Sequence, residues 1–61
     1  MNKIVQVELV DVRSMHGLIW ANMMLEAGWV LLTVNGLSLL LGAERGTANE
    51  YEELREKRDL L

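Results

Sequence analysis

Residues 28–42 read Gly-Trp-Val-Leu-Leu-Thr-Val-Asn-Gly-Leu-Ser-Leu-Leu-Leu-Gly, with an aliphatic run on each side of Asn35-Gly36. Asn-Gly accepts positive φ at both central positions of a type I′ turn, so the pattern predicts a β-hairpin. With that turn, Thr33 faces Ser38 across the two strands, which makes a favourable polar pair. The same register predicts one wholly apolar face, formed by Val30, Leu32, Val34, Leu37, Leu39 and Leu41.

The same stretch has a second interpretation as a membrane-spanning helix. Residues 27–43 carry no charge, and their length reaches the lower limit of the roughly 17–25 residues that such a helix needs. Asn35-Gly36 at the centre and several β-branched residues favour the hairpin instead. The flanking charges, Glu26 before the run and Glu44-Arg45 after it, show no positive-inside asymmetry. A single-span membrane protein therefore stays the alternative.

Residues 4–12 have the alternating pattern of a strand. Val5, Val7 and Leu9 alternate with polar residues, which predicts that these three side chains are buried and the opposite face is partly wet. Val10 and Val12 move the apolar side to the other face, which indicates a bulge or the exit of the strand.

A helix is predicted to follow this strand. Ser14 is the expected N-cap, because its hydroxyl can accept a hydrogen bond from an unpaired amide of the first turn. The helix runs to about Ala27, and Gly28 ends it by adopting a left-handed conformation. Gly17 and Ala21 lie in the middle of its apolar arc, where small side chains allow close packing on a sheet.

A second helix is predicted near the end of the chain. Residues 47–50 read Thr-Ala-Asn-Glu, a capping box that starts a helix over residues 48–60 after a loop at 42–46. Acidic residues near its start and basic residues near its end suit the helix dipole. Its apolar stripe is thin and consists of Tyr51, Leu54 and Leu61. Such a helix docks by one edge or reaches another chain.

The predicted order β-α-β-β-α indicates a single small α+β domain over residues 1–61, with one helix packed on a face of a three-stranded sheet and a charged C-terminal helix. The third strand, residues 37–41, is expected in the middle because continuous apolar runs mark strands buried on both faces. One helix covers one face. The terminal helix or a second copy must cover the other, and the thin stripe of the terminal helix favours a symmetric homodimer.

The composition of the chain limits the classes of function that it can have. The chain has 61 residues, no cysteine and one histidine, so disulfides and a structural zinc site are excluded and oligomerisation is the expected source of added stability. A net charge of −3 argues against binding nucleic acid. Alternating Val-Gln-Val-Glu follows Lys3 in place of a signal-peptide apolar region, which predicts a cytoplasmic protein.

The polar residues do not form a recognisable catalytic motif. Ser14 and His16 are two positions apart on a helix and do not face each other. Carboxylates of the C-terminal segment alternate with Arg and Lys, which is typical of a solvated helix face. We therefore predict a protein that is not an enzyme and that uses no cofactor and no metal.

The excess of apolar residues predicts a protein interface instead, because one small sheet cannot cover them all. The candidate interface residues lie on the first helix, the hairpin and the terminal helix and are His16, Ile19, Trp20, Met23, Val30, Leu32, Leu39, Tyr51 and Leu54.

Residues 21–32, Ala-Asn-Met-Met-Leu-Glu-Ala-Gly-Trp-Val-Leu-Leu, resemble a pattern of short bacterial and phage proteins, in which a helix ending Leu-x-x-Gly-Trp precedes a Val-Leu-Leu strand. With Leu41-Gly42 the resemblance covers roughly half of the chain. Some small, acidic phage proteins inhibit host defences, as anti-CRISPR proteins and inhibitors of Hachiman systems do. The resemblance implies a homodimeric inhibitor that binds a host defence protein in the host cytoplasm. The alternative is a small-molecule or nucleotide sponge, with a pocket at the dimer seam lined by Trp20, His16 and Arg13.

Overall fold

The computed structural model describes residues 3–60 and confirms the α+β class. Its elements, in chain order, are β1 (Gln6–Asp11), α1 (Met15–Glu26), β2 (Val30–Asn35), β3 (Ser38–Ala43), α2 (Arg45–Asn49) and α3 (Tyr51–Asp59). Leu61, which was predicted to extend the apolar stripe of the terminal helix, lies outside the described residues. Within residues 3–60, no helix has the length and apolarity that crossing a membrane requires.

The three strands form one antiparallel sheet in the order β1-β3-β2. The central position of β3 is as predicted from its continuous apolar sequence. Leu41, Gly42 and Ala43 at its end are all buried, whereas every residue of β2 is exposed at the sheet edge. The innermost strand therefore contributes most of the sheet's share of the core.

The hairpin turn is in the predicted place, but its register is shifted. Asn35 pairs with Ser38, so the two central residues of the turn are Gly36 and Leu37. Gly36 has a φ of 63° and no residue other than glycine has positive φ within the described chain, a pattern typical of type II′ rather than type I′. This turn places the positive φ on glycine alone, where it costs least. The predicted pair of Thr33 with Ser38 is wrong, since Thr33 faces Leu40.

A β-bulge at Leu32 overturns the predicted apolar face of the hairpin. The register shifts between Leu31 and Thr33, so that Leu31 pairs with Leu41 and Val30 pairs with Gly42. Because paired residues share a face, the extra residue moves the first half of β2 to the opposite side. Leu39, Leu41 and Val34 consequently lie on the side that the helices cover, whereas Val30 and Leu32 lie on the other side.

The orientation of β1 is the reverse of the prediction. Val10 is only 4% exposed and lies against the helices, on the same face as the polar residues Gln6 and Glu8. Val7 and Leu9, predicted to be buried, are 54% and 69% exposed. No register shift interrupts the pairing of β1 with β3, so Val10 marks the buried face rather than a bulge.

Helix α1 begins and ends as its sequence predicts. The hydroxyl of Ser14 accepts a hydrogen bond from the amide of Gly17 at 3.1 Å. At the other end Gly28 has a φ of 111°, and its amide donates to Leu25 while that of Trp29 donates to Met24, the paired bonds of a Schellman motif. A Cβ on Gly17 would collide with the backbone carbonyl of Asp11, so the absent side chain lets the helix approach the end of β1.

The predicted loop at 42–46 and capping box at 47–50 are wrong. Strand β3 continues to Ala43, and α2 begins directly after Glu44, which makes no side-chain capping bond. Thr47 lies inside α2, where its hydroxyl packs on Gly28, 3.0 Å from the position that a Cβ there would take. Because α2 begins at Arg45, Thr47 is not at a helix N-terminus and does not take the predicted capping role. The terminal helix is therefore split into two at Glu50.

The core lies between one face of the sheet and the helices. Its buried residues are Val10, Trp20, Ala21, Met24, Trp29, Leu41 and Ala43. The ring of Tyr51, on α3, lies 6.0 Å from that of Trp20 and 5.9 Å from that of Trp29. Helix α3 thus packs on the same side of the sheet as α1.

Candidate protein interface

The uncovered side of the sheet, called here the open face, is apolar over most of its area. Pairing places Val7 of β1 and Val30 of β2 on either side of Gly42, and Leu9 beside Leu40. The apolar residues of the open face are Val5, Val7, Leu9, Val30, Leu32 and Leu40. Its turn end is polar, with Asp11, Ser38 and Asn35 in one row.

Gly42 forms the centre of the open face and is buried there. A Cβ on Gly42 would lie 2.8 Å from Cδ1 of Leu32 and 2.9 Å from Cγ2 of Ile4, so both side chains lie across the glycine. Neighbouring aliphatic groups therefore fill the space above the Gly42 backbone, and this part of the face is apolar. An apolar sheet face is suited to packing against another such face.

The charge at the polar end of the open face is compensated. Nη2 of Arg13 lies 2.8 Å from Oδ2 of Asp11, and the Arg13 backbone amide also donates to that carboxylate. The hydrogen bond from the Arg13 guanidinium lowers the pKa of Asp11, and the backbone bond lowers it further. Asp11 is thus held ionised in a local pair.

Helix α3 is held away from the open face by a polar contact on the covered side. The Tyr51 hydroxyl donates a 3.0 Å hydrogen bond to Oε2 of Glu8. Burial raises the pKa of Tyr51, and the hydrogen bond to Glu8 raises it further. This bond also accounts for the polar Glu8 side chain on the covered face, where it finds a donor.

A second apolar surface, the outer helix stripe, lies on the solvent side of α1. It consists of Met15, Leu18, Ile19 and Leu25, all of which are exposed. Asn22 and Glu26 are exposed on the same side of the helix, so the apolar side chains of this surface are interspersed with polar ones. The opposite side, with Trp20, Ala21 and Met24, is buried.

The predicted interface residues are divided between these surfaces and the core. His16 and Ile19 are exposed on α1, and Val30 and Leu32 lie on the open face. The others pack in or against the core and are Trp20, Met23, Leu39, Tyr51 and Leu54. Over Trp20 lies the guanidinium of Arg58, 4.5 Å from the ring centroid. The nine predicted residues therefore do not form one surface.

Sequence reasoning missed Val5, Val7 and Leu9 as surface residues. The alternation that contains them is plain, but period-two patterning does not say which face is covered. The signal that could have revealed the answer was Val10, an apolar residue on the same strand face as Gln6 and Glu8. Val10 and Val12 were instead predicted to mark a bulge or the exit of the strand.

Shallow clefts lie between the end of α1 and α3. One has a volume of about 200 Å³ and a neighbour about 260 Å³, and both are lined by Ala27, Leu54 and Lys57. Glu50 and Glu53 line the first, and Met23 and Glu26 line the second. The pocket predicted from Trp20, His16 and Arg13 is not one of these two. Among residues 3–60, no group of three or more His, Asp or Glu side chains is arranged to hold a metal ion.

Comparison of the chain with protein-family models, with curated proteins and with solved structures finds no match.

Proposed function

We propose that the protein is a non-enzymatic, homodimeric binding module that inhibits a component of a bacterial defence system, acting in the cytoplasm of the bacterial cell. The observation that carries the binding function is the outer helix stripe. Its four apolar side chains face solvent on the side of α1 that points away from the core. A partner that covers this stripe would remove it from water.

The shape of the molecule supports the same proposal. The Cα atoms span 33 × 28 × 14 Å, so the fold is a thin plate with helices on one side. The outer helix stripe and the open face lie on opposite sides of this plate. Two apolar surfaces that cannot contact each other within one chain are suited to two different contacts, one with a target and one with another copy.

The assignment to defence inhibition rests on the resemblance of residues 21–32 to short phage proteins. That segment contains the end of α1 and the start of β2. Ile19, two residues before it, contributes to the outer helix stripe. We choose it as the position at which a charge should disturb target binding. An added carboxylate there would have to be desolvated in any apolar interface.

A plating assay tests the function. The chain is expressed in bacterial strains that each carry one defence system, and phage plating is measured against strains without that system. We expect the wild-type chain to restore plating on one of them and the Ile19→Glu variant to fail. Glu56→Gln, a change at an exposed position of α3, is the matched control and should behave as wild type.

Binding is then measured directly with the purified defence component. Ile19→Glu should weaken that binding at least tenfold while Glu56→Gln leaves it unchanged. Restoration of plating by neither chain in any strain would contradict defence inhibition. Equal target binding by Ile19→Glu and wild type would show that the outer helix stripe is not the contact surface.

A further inference from the structure

The orientation of β1 is the reverse of what its polar and apolar residues would favour. β1 directs Gln6 and Glu8 toward the helices while Val7 and Leu9 face outward, 54% and 69% exposed. An antiparallel sheet that is wet on one side normally places its apolar residues inside and its polar residues outside. The reversed pattern therefore indicates that the open face is covered by an apolar layer in the working protein.

Residues 3–60 do not supply that layer. The described chain ends in α3, which is committed to the opposite side by the bond from Tyr51 to Glu8 and by Arg58 over Trp20. Moving α3 across to the open face would break both contacts and uncover Trp20 and Trp29, which are 6% and 2% exposed. A second chain can cover the open face without breaking either contact.

We propose that a second copy of this chain covers the open face, so that two sheets pack face to face with the helices outside. This inference deepens the proposed function and rests on its claim that the binding module is a homodimer. Face-to-face sheets pack about 10 Å apart with their strands within about 30° of each other. The second copy offers a face of the same size and apolar character, which a two-fold axis brings into register.

The charge distribution favours a copy on this face. The paired rows of the open face contain one ionised group, Asp11, and Arg13 neutralises it locally. Six of the nine carboxylates of the chain lie between residues 44 and 59, on and around α2 and α3. Two chains of net charge −3 can therefore approach sheet to sheet without opposing their acidic helices, whereas contact through the helices would bring like charges together.

The area of the open face sets the expected strength of the dimer. Three strands about 4.8 Å apart, each six residues long at about 3.3 Å per residue, make a surface of roughly 14 by 20 Å. The flat footprint of roughly 300 Å² is smaller than the roughly 800 Å² per partner of a standard stable complex. We expect a reversible dimer whose mass falls on dilution through the micromolar range.

Sedimentation equilibrium over a dilution series tests the proposal with three chains. Wild type should change from twice the chain mass to the chain mass as it is diluted. Leu9→Glu, which places a carboxylate on the open face, should weaken association at least tenfold. Ile19→Glu, the matched charge on the opposite side of the plate, should dimerise as wild type does.

Three results would overturn the proposal. These are a wild-type monomer at the highest concentration, a Leu9→Glu chain as dimeric as wild type, and loss of the dimer in Ile19→Glu with retention in Leu9→Glu. Masses above the dimer would also overturn it, since they indicate pairing through exposed strand edges. If circular dichroism shows Leu9→Glu to be unfolded, Val7→Thr replaces it, because threonine keeps the β-branched shape while adding a hydroxyl to the open face.

The same variants separate this inference from the proposed function. Loss of target binding in Ile19→Glu with an intact dimer addresses the target surface alone. A wild-type chain that binds its target as a monomer would overturn the second copy and leave target recognition standing. A dimer that inhibits no defence system would contradict the proposed function and leave the second copy on the open face standing.

Discussion

The two faces of the sheet are made by the same three strands, yet they differ in what they bury. The covered face buries Val10, Leu41 and Ala43 and includes the hydrogen-bonded Glu8. The open face has the larger number of exposed aliphatic side chains. The comparison teaches that apolar character alone does not distinguish the two faces, since both carry aliphatic residues.

Close approach explains why α1 packs where it does. Gly17 lies against the Asp11 carbonyl, and Ala21 is only 1% exposed. Small residues on the helix bring its backbone near the sheet, so that Trp20 and Met24 can fill the space on either side of this line.

The largest expected difference between the faces comes from truncating a leucine on each. Leu41→Ala removes a fully buried side chain and should lower the free energy of unfolding by about 3 kcal/mol. Leu9→Ala, at a 69% exposed position, should change it by less than about 0.5 kcal/mol when the chain is dilute enough to be monomeric. Urea unfolding of both variants, at protein concentrations low enough for the chain to be monomeric, measures the difference. Equal losses of unfolding free energy would show that the two faces do not differ in what they bury.

Replacing a glycine by alanine on each side of the sheet, Gly17 of α1 on the covered side and Gly42 on the open face, should give a smaller difference in stability. Gly17→Ala places a Cβ against the backbone of Asp11, which cannot move without shifting β1, and should cost about 2 kcal/mol despite the better helix propensity of alanine. Gly42→Ala meets the side chains of Leu32 and Ile4, which can turn away into solvent. Its cost should stay below about 1 kcal/mol. Thermal unfolding of the two variants measures both losses of stability. A larger loss in Gly42→Ala than in Gly17→Ala would contradict the close approach of the helix to the sheet.

The smallest expected effect concerns the polar contact on the covered face. Tyr51→Phe removes the bond to Glu8 and should cost about 1 kcal/mol at neutral pH. Because folding raises the pKa of Tyr51, the stabilisation from its protonated form is complete below about pH 10 and is lost as pH rises through the folded-state pKa. The stability gap between wild type and Tyr51→Phe should therefore narrow in alkaline solution.

Phenolate absorbance provides the control for that prediction, since the chain has one tyrosine. The folded protein should form phenolate at higher pH than the urea-unfolded chain. An unchanged stability gap across the alkaline range, or phenolate formation at the same pH in both states, would show that Tyr51 is not held by burial and Glu8.

Local sequence signals were sufficient for most elements, but not for the start and the division of the terminal helix. Ser14 capped α1, Gly28 closed it, and Asn35-Gly36 located the hairpin, because each acts through backbone geometry within a few residues. The central position of β3 followed from its unbroken apolar run. The capping box at Thr47 was wrong because the helix begins earlier, at Arg45, which places Thr47 inside α2.

Only part of the candidate interface could be predicted from the sequence. Ile19, Val30 and Leu32 were named from the sequence and are exposed, whereas Trp20 and Leu39 pack in or against the core. Val7 and Leu9 were assigned to the wrong side. An alternating pattern specifies that two faces differ, but it carries no information about which of them meets the helices.

By itself, therefore, the sequence determined the α+β class, the order of the strands and helices and the position of the turn. Only the tertiary structure decided which face of the sheet is open. That choice depends on contacts between separate elements, above all Gly17 of α1 with Asp11 of β1 and Tyr51 of α3 with Glu8 of β1, and on the bulge at Leu32. Such contacts depend on how whole elements fit together, which no local periodicity encodes.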